Sequence, residues 1–417
     1  MNNMIIFADH LKSSEKKMKF LSLIILLMFF ALDFYAFQIF KALQLSKIFE
    51  KAYWIFNVVG YILITYSVMI YDPQVHNSKI LPLMIGYTIL IGVPKLIPIF
   101  LGTAEDLFRT GNRLISGEWP SRRRFIALIG WGIAAVPFVG ILHGIFRGRS
   151  QYRILKNSAT IEGLPDAFSG FKILQISDIH SGSFVDFKEV ELGVNMILEQ
   201  DVDAIVFTGD LVNNVYSEMT PWLDLFKKIN APFGVFSILG NHDYGDYVKW
   251  DSLDDKNKNM QNLLETHKKL GWRLLRNENF KISKNGESLD IVGVENWGNP
   301  PFPQYGDLNL ALKGLNPKSP KILLSHDPSH FDAEIIKHES NIPLTLSGHT
   351  HGMQFGIEIP GWIKWSPVKF KYPKWAGSYI DEKTKKSLYV NRGFGYLAFP
   401  GRVGIWPEIT IHTLKKS

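Results

Sequence analysis

Five short polar clusters in the last two thirds of the chain hold residue types that could do metal chemistry. They are Asp178-Ile179-His180, Gly209-Asp210, Gly240-Asn241-His242-Asp243, His326, and Gly348-His349-Thr350-His351. Imidazole, carboxylate and amide oxygen without sulfur suit borderline to hard divalent ions such as Mn²⁺, Fe²⁺ or Zn²⁺. The groups are too many for one ion with an open position. Two ions about 3.5–4 Å apart, bridged by one carboxylate, are the arrangement used for in-line displacement at phosphorus. Singly each cluster is weak, since Gly-Asp is commonly a turn and Asn-His-Asp can be an Asx-turn. Their joint occurrence, each directly after a hydrophobic run, carries the reading.

Those runs are the elements that must position the clusters. Residues 171–177, 204–208, 234–239, 321–325 and 343–347 are short, apolar and bounded by turn formers, and read as buried strands. Helical patterns lie at 187–200, 220–229 and 262–270, the second opened by Thr220 and Pro221 and the third closed by Gly271. Asn285-Gly286 reads as a two-residue hairpin turn. Strands that alternate with helices first and form hairpins later predict a layered α/β fold with a mixed sheet. In such sheets ligands bind at the carboxyl ends of strands, where all five clusters fall.

Taken together, these residues resemble the motif set of the calcineurin-like metallophosphoesterases across about residues 152–417. Flanking Phe171-Lys172-Ile173, and Asn391-Arg392-Gly393-Phe394-Gly395 through Pro407-Glu408-Ile409-Thr410, are similar to the membrane-anchored, exported bacterial subgroup. The front end also resembles transmembrane proteins with a metallophosphoesterase domain. The resemblance implies an α-β-β-α sandwich with mixed sheets. It implies that Asp178, His180 and His351 bind one ion, that Asn241, His326 and His349 bind the other, and that Asp210 bridges both. His242 would lie just outside the ligands with Asp243 orienting its ring, as an imidazole's second nitrogen usually requires. Asp243 stands where many members have Glu, Met353 where a second Gly is common, and Asn296-Trp297 where an acid is frequent. None of the three is a ligand, so they bear on substrate choice.

The expected reaction is in-line attack on phosphorus by water activated between two ions, with His242 and Asp243 as catalytic residues. His242 would protonate the leaving alkoxide or stabilise charge developing on the phosphoryl group. The expected substrate is a phosphorylated small molecule or a lipid, cut at a phosphoester or pyrophosphate bond. Two other readings stay open: a nucleotide phosphodiesterase or nuclease that is merely tethered, and a membrane scaffold with an inactive phosphoesterase fold. The complete ligand set argues against the scaffold.

Charge and hydropathy divide the chain. Residues 1–150 hold 16 Lys+Arg and 8 Asp+Glu, whereas residues 151–417 hold 30 and 31. The C-terminal part therefore has no positive surplus with which to neutralise a nucleic-acid backbone. Absence of Cys excludes disulfides, thiolate ligands and a Cys nucleophile. Apolar segments at about 20–40, 53–71, 80–101 and 125–146 are long enough to cross a bilayer, giving a tail over 1–19, a transmembrane region over 20–146 and the metallophosphoesterase domain over 147–417. Asp33 and Lys95 are costly there; either they form a functional pair, or Lys95 faces the bundle or snorkels.

Lys/Arg counts on the two sides of the spans nearly balance, eight against nine. Ser121-Arg122-Arg123-Arg124-Phe125-Ile126 breaks the tie, because it resembles a twin-arginine export signal. As such a signal or as an ordinary basic anchor, it keeps these arginines cytoplasmic and predicts an extracytoplasmic catalytic domain on a bacterial inner membrane. Finally, residues 362–375 interleave Trp362, Trp365, Phe370, Tyr372 and Trp375 with four lysines. That composition suits contact with membrane lipids, while the alternative is that the rings pack back on the sheet.

Overall fold

A computed structural model describes residues 24, 26–69, 80–116, 122–359 and 361–417. The described residues up to His143 form one compact unit and Gly144–Ser417 another.

The first unit is helical: α1 over 26–41, α2 Lys47–Met69, α3 Ile80–Ser116 and α4 Arg123–Phe146, whose last residues belong to the second unit. Among the described residues, three helices are long and apolar enough to cross a membrane: Lys47–Ser67, Ile80–Ile115 and Arg123–Phe146. Four spans were expected. The first, 20–40, begins outside the described residues, and α1 alone falls short of the ~20 residues a crossing needs. Helix α3 runs past the expected end at 101. Pro94 and Pro98 lie inside it without ending it, and Arg109 pairs with Glu105 and Asp106 one turn back, which supports the polar extension. Lys95 Nζ lies 2.6 Å from Asp33 Oδ1 and also donates to Asn57 Oδ1, while the Tyr61 hydroxyl donates to Asp33 Oδ2 at 2.5 Å. Asp33 and Lys95 thus compensate each other, and Lys95 does not snorkel.

In the second unit the strands are β1 Arg153–Ile161, β2 Lys172–Ile176, β3 Ala204–Phe207, β4 Val235–Ser237, β5 Arg273–Leu274, β6 Glu278–Lys284 and β7 Glu287–Gly293. They continue with β8 Lys321–Leu324, β9 Leu344–Ser347, β10 Ile357–Ile359, β11 Ile363–Trp365, β12 Gly377–Ile380, β13 Ser387–Val390 and β14 Glu408–Lys416. Two six-stranded sheets result, ordered β1-β14-β2-β3-β4-β5 and β12-β13-β9-β8-β7-β6. Both are mixed: β2 through β5 run parallel with β14 antiparallel beside them, and β7, β8, β9 and β13 run parallel between antiparallel β6 and β12.

Apolar residues of both sheets, among them Ile173, Val206 and Phe236 with Ile291, Ile322 and Leu344, form one buried core between them. The outer face of the first sheet is covered by α5 (Phe187–Leu198), α6 (Leu223–Phe226) and α7 (Leu253–Leu270). The second is covered by α8 (Leu308–Ala311) and α9 (Ser329–Ala333). The fold is therefore the expected α-β-β-α sandwich. Asn285-Gly286 makes the β6–β7 turn with φ of 52° and 80°, a combination that suits the twist of a hairpin.

Two helix expectations differ. Around Thr220 the chain forms a 3₁₀ segment, Tyr216–Trp222, and only then the four-residue α6; buried Met219 and Trp222 set its path and no side chain caps it. Helix α7 begins at Leu253, capped by the Ser252 hydroxyl, well before 262, because its polar first half shows no apolar periodicity.

Candidate metal centre

The expected ligands sit where parallel strands end. Asp178 follows β2, Asp210 follows β3, Asn241 follows β4, His326 follows β8, and His349 and His351 follow β9. Five of them have left-handed backbone: Asp178 (φ 51°), His180 (47°), Asp210 (63°), His349 (73°) and His351 (51°). For a non-glycine residue this costs about 1–2 kcal/mol each, and it persists only where the surroundings impose it. Here neighbouring strand ends are laced together. The Asp178 amide donates to Gly209 O (2.9 Å), that of His180 to Asp210 O (3.1 Å), and that of Gly348 to His326 O (2.9 Å). Gly348 and Gly240 permit the close approach, since an added Cβ would lie 1.9 Å from Ser177 Oγ and 2.2 Å from Asp210 Oδ1 respectively.

Two trios of ligand atoms result, Asp178/His180/His351 and Asp210/His326/His349, the atoms of each within 4.8 Å of one another. Asp210 Oδ2 lies 3.1 Å from His326 Nε2 of its own trio and 3.4 Å from His180 Nε2 of the other. Asn241 Oδ1 is 2.8 Å from His349 Nδ1. Both ring nitrogens of His180, and Nε2 of His326 and of His351, are buried without a hydrogen-bond partner. Buried polar atoms are nearly always paired, so this cluster of orphans, facing carboxylates and with no thiolate nearby, fits divalent cations.

Electrostatics agree. Burial disfavours the His326 imidazolium, yet the Asp210 carboxylate outweighs it and raises the ring to about 10. Its Nδ1, 2.7 Å from Thr208 O, keeps a proton, so Nε2 is the nitrogen turned to Asp210. Burial would raise the Asp178 carboxyl, but the His351 and His326 rings bring it well below the usual range. Burial holds His351 down at about 4 and, despite Asp210, His242 at about 4. In the absence of ions, some of the buried negative charge is thus balanced by protons where cations would fit.

One expectation is corrected. Asp243 does not orient the His242 ring. Its Oδ2 accepts from the backbone N–H of Gly240 (2.9 Å) and Asp210 (2.9 Å), and its Oδ1 from Leu211 (2.9 Å) and Val212 (3.3 Å). The His242 ring is held instead by the Asn213 carbonyl, 2.8 Å from Nδ1. Asp243 therefore ties the loop after β3 to the loop after β4.

Sequence reasoning missed several contacts. Asp327, next to His326, puts Oδ2 3.4 Å from His349 Nε2; the Tyr372 hydroxyl lies 2.8 Å from the same nitrogen. The Tyr247 hydroxyl accepts from Asn241 Nδ2 (2.8 Å), and Arg402 Nη2 lies 3.3 Å from His351 Nδ1. Adjacency to His326 could have flagged Asp327; no local motif marks Arg402. The aromatic stretch after His351 splits. Tyr372 and Trp375 are buried, whereas Trp362 and Phe370 are exposed.

Known proteins match this arrangement. The family model for calcineurin-like phosphoesterase matches residues 171–353, and that for a probable calcineurin-like phosphoesterase transmembrane domain matches 18–149. The uncharacterized metallophosphoesterase YkuE of Bacillus subtilis is 32% identical over 307 residues, covering 71% of this chain and 98% of the relative. The transmembrane protein with metallophosphoesterase domain of Danio rerio is 28% identical over 301 residues, covering 71% of this chain and 63% of that protein. UDP-2,3-diacylglucosamine pyrophosphatase LpxG of Chlamydia muridarum is 26% identical over 312 residues, covering 63% and 90%. The chain belongs to the calcineurin-like metallophosphoesterases. It is a metal-dependent phosphoric ester hydrolase with a membrane anchor.

Proposed function

We infer that the chain is a dimetal phosphohydrolase that cleaves a phosphoester or pyrophosphate bond of a lipid or lipid-linked phosphate at a bacterial inner membrane. The observation that carries the dimetal reading is Asp210, a member of one trio, reaching His180 of the other, with unpartnered imidazole nitrogens of His180, His326 and His351 buried around it. Asp178, His180 and His351 would hold one ion, Asn241, His326 and His349 the other, and Asp210 both; Mn²⁺, Fe²⁺ and Zn²⁺ all suit this donor set. Bound there, divalent ions lower the pKa of water and neutralise phosphoryl charge.

The chain's own residues supply the rest. Asn213 O fixes the proton on His242 Nδ1, which leaves Nε2 as the nitrogen available to the phosphoryl or leaving oxygen. At about 4 that ring is neutral in the free chain. An incoming phosphate dianion raises it, so the substrate recruits the proton that His242 donates to the leaving oxygen or shares with the phosphoryl group. Asp243 fixes the two loops that carry Asp210 and Asn241.

The lipid assignment draws on the membrane anchor and on relatives whose name specifies a diacylated substrate. Arg122, Arg123 and Arg124 at the start of α4, read as a cytoplasmic basic anchor, support an extracytoplasmic catalytic unit. The test is a screen of detergent-solubilised, Mn²⁺-loaded protein against aryl phosphates, nucleotides, lipid phosphates and lipid-linked pyrophosphates. Lipid substrates should turn over with the highest kcat/KM. Preference for free nucleotides would overturn the assignment.

A further inference from the structure

The hairpin of β10 and β11 carries most of its apolar side chains outward. It pairs Ile357 with Trp365, Glu358 with Lys364 and Ile359 with Ile363. Paired residues share a face and successive ones alternate. Ile357, Ile359, Ile363 and Trp365 therefore form one apolar face, and Glu358 and Lys364 the polar one. The polar side chains are bonded to the protein, although Lys364 stays largely exposed: Glu358 pairs with the buried Arg392 at 2.5 Å, and Lys364 donates to the Ala376 carbonyl and lies 5.3 Å from the Trp375 ring centre. Three of the four apolar residues are turned out, with Ile357 50%, Ile359 43% and Ile363 38% exposed and Trp365 half-buried, and the neighbouring Trp362 and Phe370 are each 80% exposed. Folding alone would favour the opposite arrangement, and a contiguous exposed apolar surface of this kind marks an interaction site.

We propose that this hairpin, with Trp362 and Phe370, inserts into the interfacial layer of an anionic bilayer and delivers a membrane-borne phosphate to the metal centre. The delivery step rests on the function inferred above; the docking does not. Charge selects a bilayer over a second copy of the chain. Lys369 and Lys371 border the patch, lie 5.5 Å from the Phe370 ring and 4.5 Å from the Phe302 ring, and are in no ion pair among the described residues. Indole and phenyl rings beside free ammonium groups are what an anionic interface attracts. The membrane anchor keeps such a surface at high effective concentration. The patch is also joined to the site: Tyr372, two residues beyond Phe370, bonds His349 Nε2, and Phe302, beneath Lys371, stands edge-on to the His349 ring at 4.9 Å.

The chain has no cysteine, so Trp362→Cys, Phe370→Cys and, as control, Leu253→Cys on the exposed start of α7 can each take a single environment-sensitive dye in the full-length protein. The protein is reconstituted in vesicles of phosphatidylcholine and phosphatidylglycerol bearing headgroup-level nitroxide lipids. Dyes at 362 and 370 should be blue-shifted and quenched, more so with phosphatidylglycerol, while the dye at 253 is not. Equal quenching at 362 and 253 would overturn the docking, as would blue shifts at 362 and 370 that depend on protein concentration in detergent without lipid, which would indicate a second copy. In parallel, the ratio of turnover on vesicle-borne phosphatidic acid to turnover on nitrophenyl phosphate should fall at least about tenfold in the Trp362→Ser/Phe370→Ser double variant, since two rings lose their apolar contact. An unchanged ratio would overturn delivery. Quenched dyes at 362 and 370, together with a wild-type protein that hydrolyses nitrophenyl phosphate but no lipid phosphate, would sustain the docking and sink the lipid substrate.

Discussion

Replacing Asp243 by Asn separates two roles that a carboxylate next to His242 could have. In the structure its two oxygens accept four backbone N–H groups, those of Gly240 and Asp210 on Oδ2 and those of Leu211 and Val212 on Oδ1. The amide keeps the shape but turns one oxygen into a donor, so two buried N–H groups lose their acceptor and face another donor. Each unsatisfied buried group costs about 1–3 kcal/mol, so the loss from two should be about 2–6 kcal/mol. For a unit of this size that corresponds to a fall in Tm of roughly 4–24 °C. Intrinsic tryptophan fluorescence during a thermal scan in detergent reads it, and metal content should fall with it, because the loops carrying Asp210 and Asn241 are no longer tied. A variant with wild-type Tm and metal content but reduced turnover would refute this reasoning and restore the ring-orienting role.

The His242→Asn variant should keep its ions and lose about 10²–10⁴-fold in turnover, less for nitrophenyl esters than for alkyl esters if the ring protonates the leaving oxygen. A uniform loss would point to binding of the phosphoryl oxygens. Replacing both Arg122 and Arg123 by Lys should leave the catalytic unit protected from protease in spheroplasts if twin-arginine export is used; a unit still cleaved outside would mean ordinary insertion. Since Asp210 raises His326 to about 10, above its ordinary 6.5, metal loading near pH 7 should release protons and tighten as pH rises, which calorimetry in buffers of different ionisation heat detects. By the same sign, the stability that His326 gives the metal-free protein is complete below pH 6.5 and lost as pH climbs through about 10, so only the metal-free form should weaken over that range.

The strands that carry the site were legible because each is a short apolar run stopped by turn-forming residues, and the polar residue after the stop is the one that enters the site. The hairpin turn at Asn285-Gly286 was legible for the same local reason, as only small or amide residues accept its backbone. What was hidden depends on contacts distant in sequence. The partners of Asp243 are backbone amides of another loop, which no side-chain pattern announces. Tyr372 and Phe370 lie two residues apart, one hydrogen-bonded to His349 and the other in solvent, and composition treats them alike. The β10–β11 hairpin alternates as any amphipathic hairpin does, and periodicity does not say which face is turned to the protein. Arg402 reaches His351 from 51 residues away in a segment with no motif of its own.

The bridging carboxylate is the feature on which the dimetal reading depends. Counting ions by anomalous scattering in crystals of wild type, Asp210→Asn and His326→Ala tests it most directly. Wild type should hold two ions per chain, Asp210→Asn should be depleted at both positions, and His326→Ala should be depleted mainly at the one position it shares with Asn241 and His349. Normal occupancy of both positions in Asp210→Asn would contradict it.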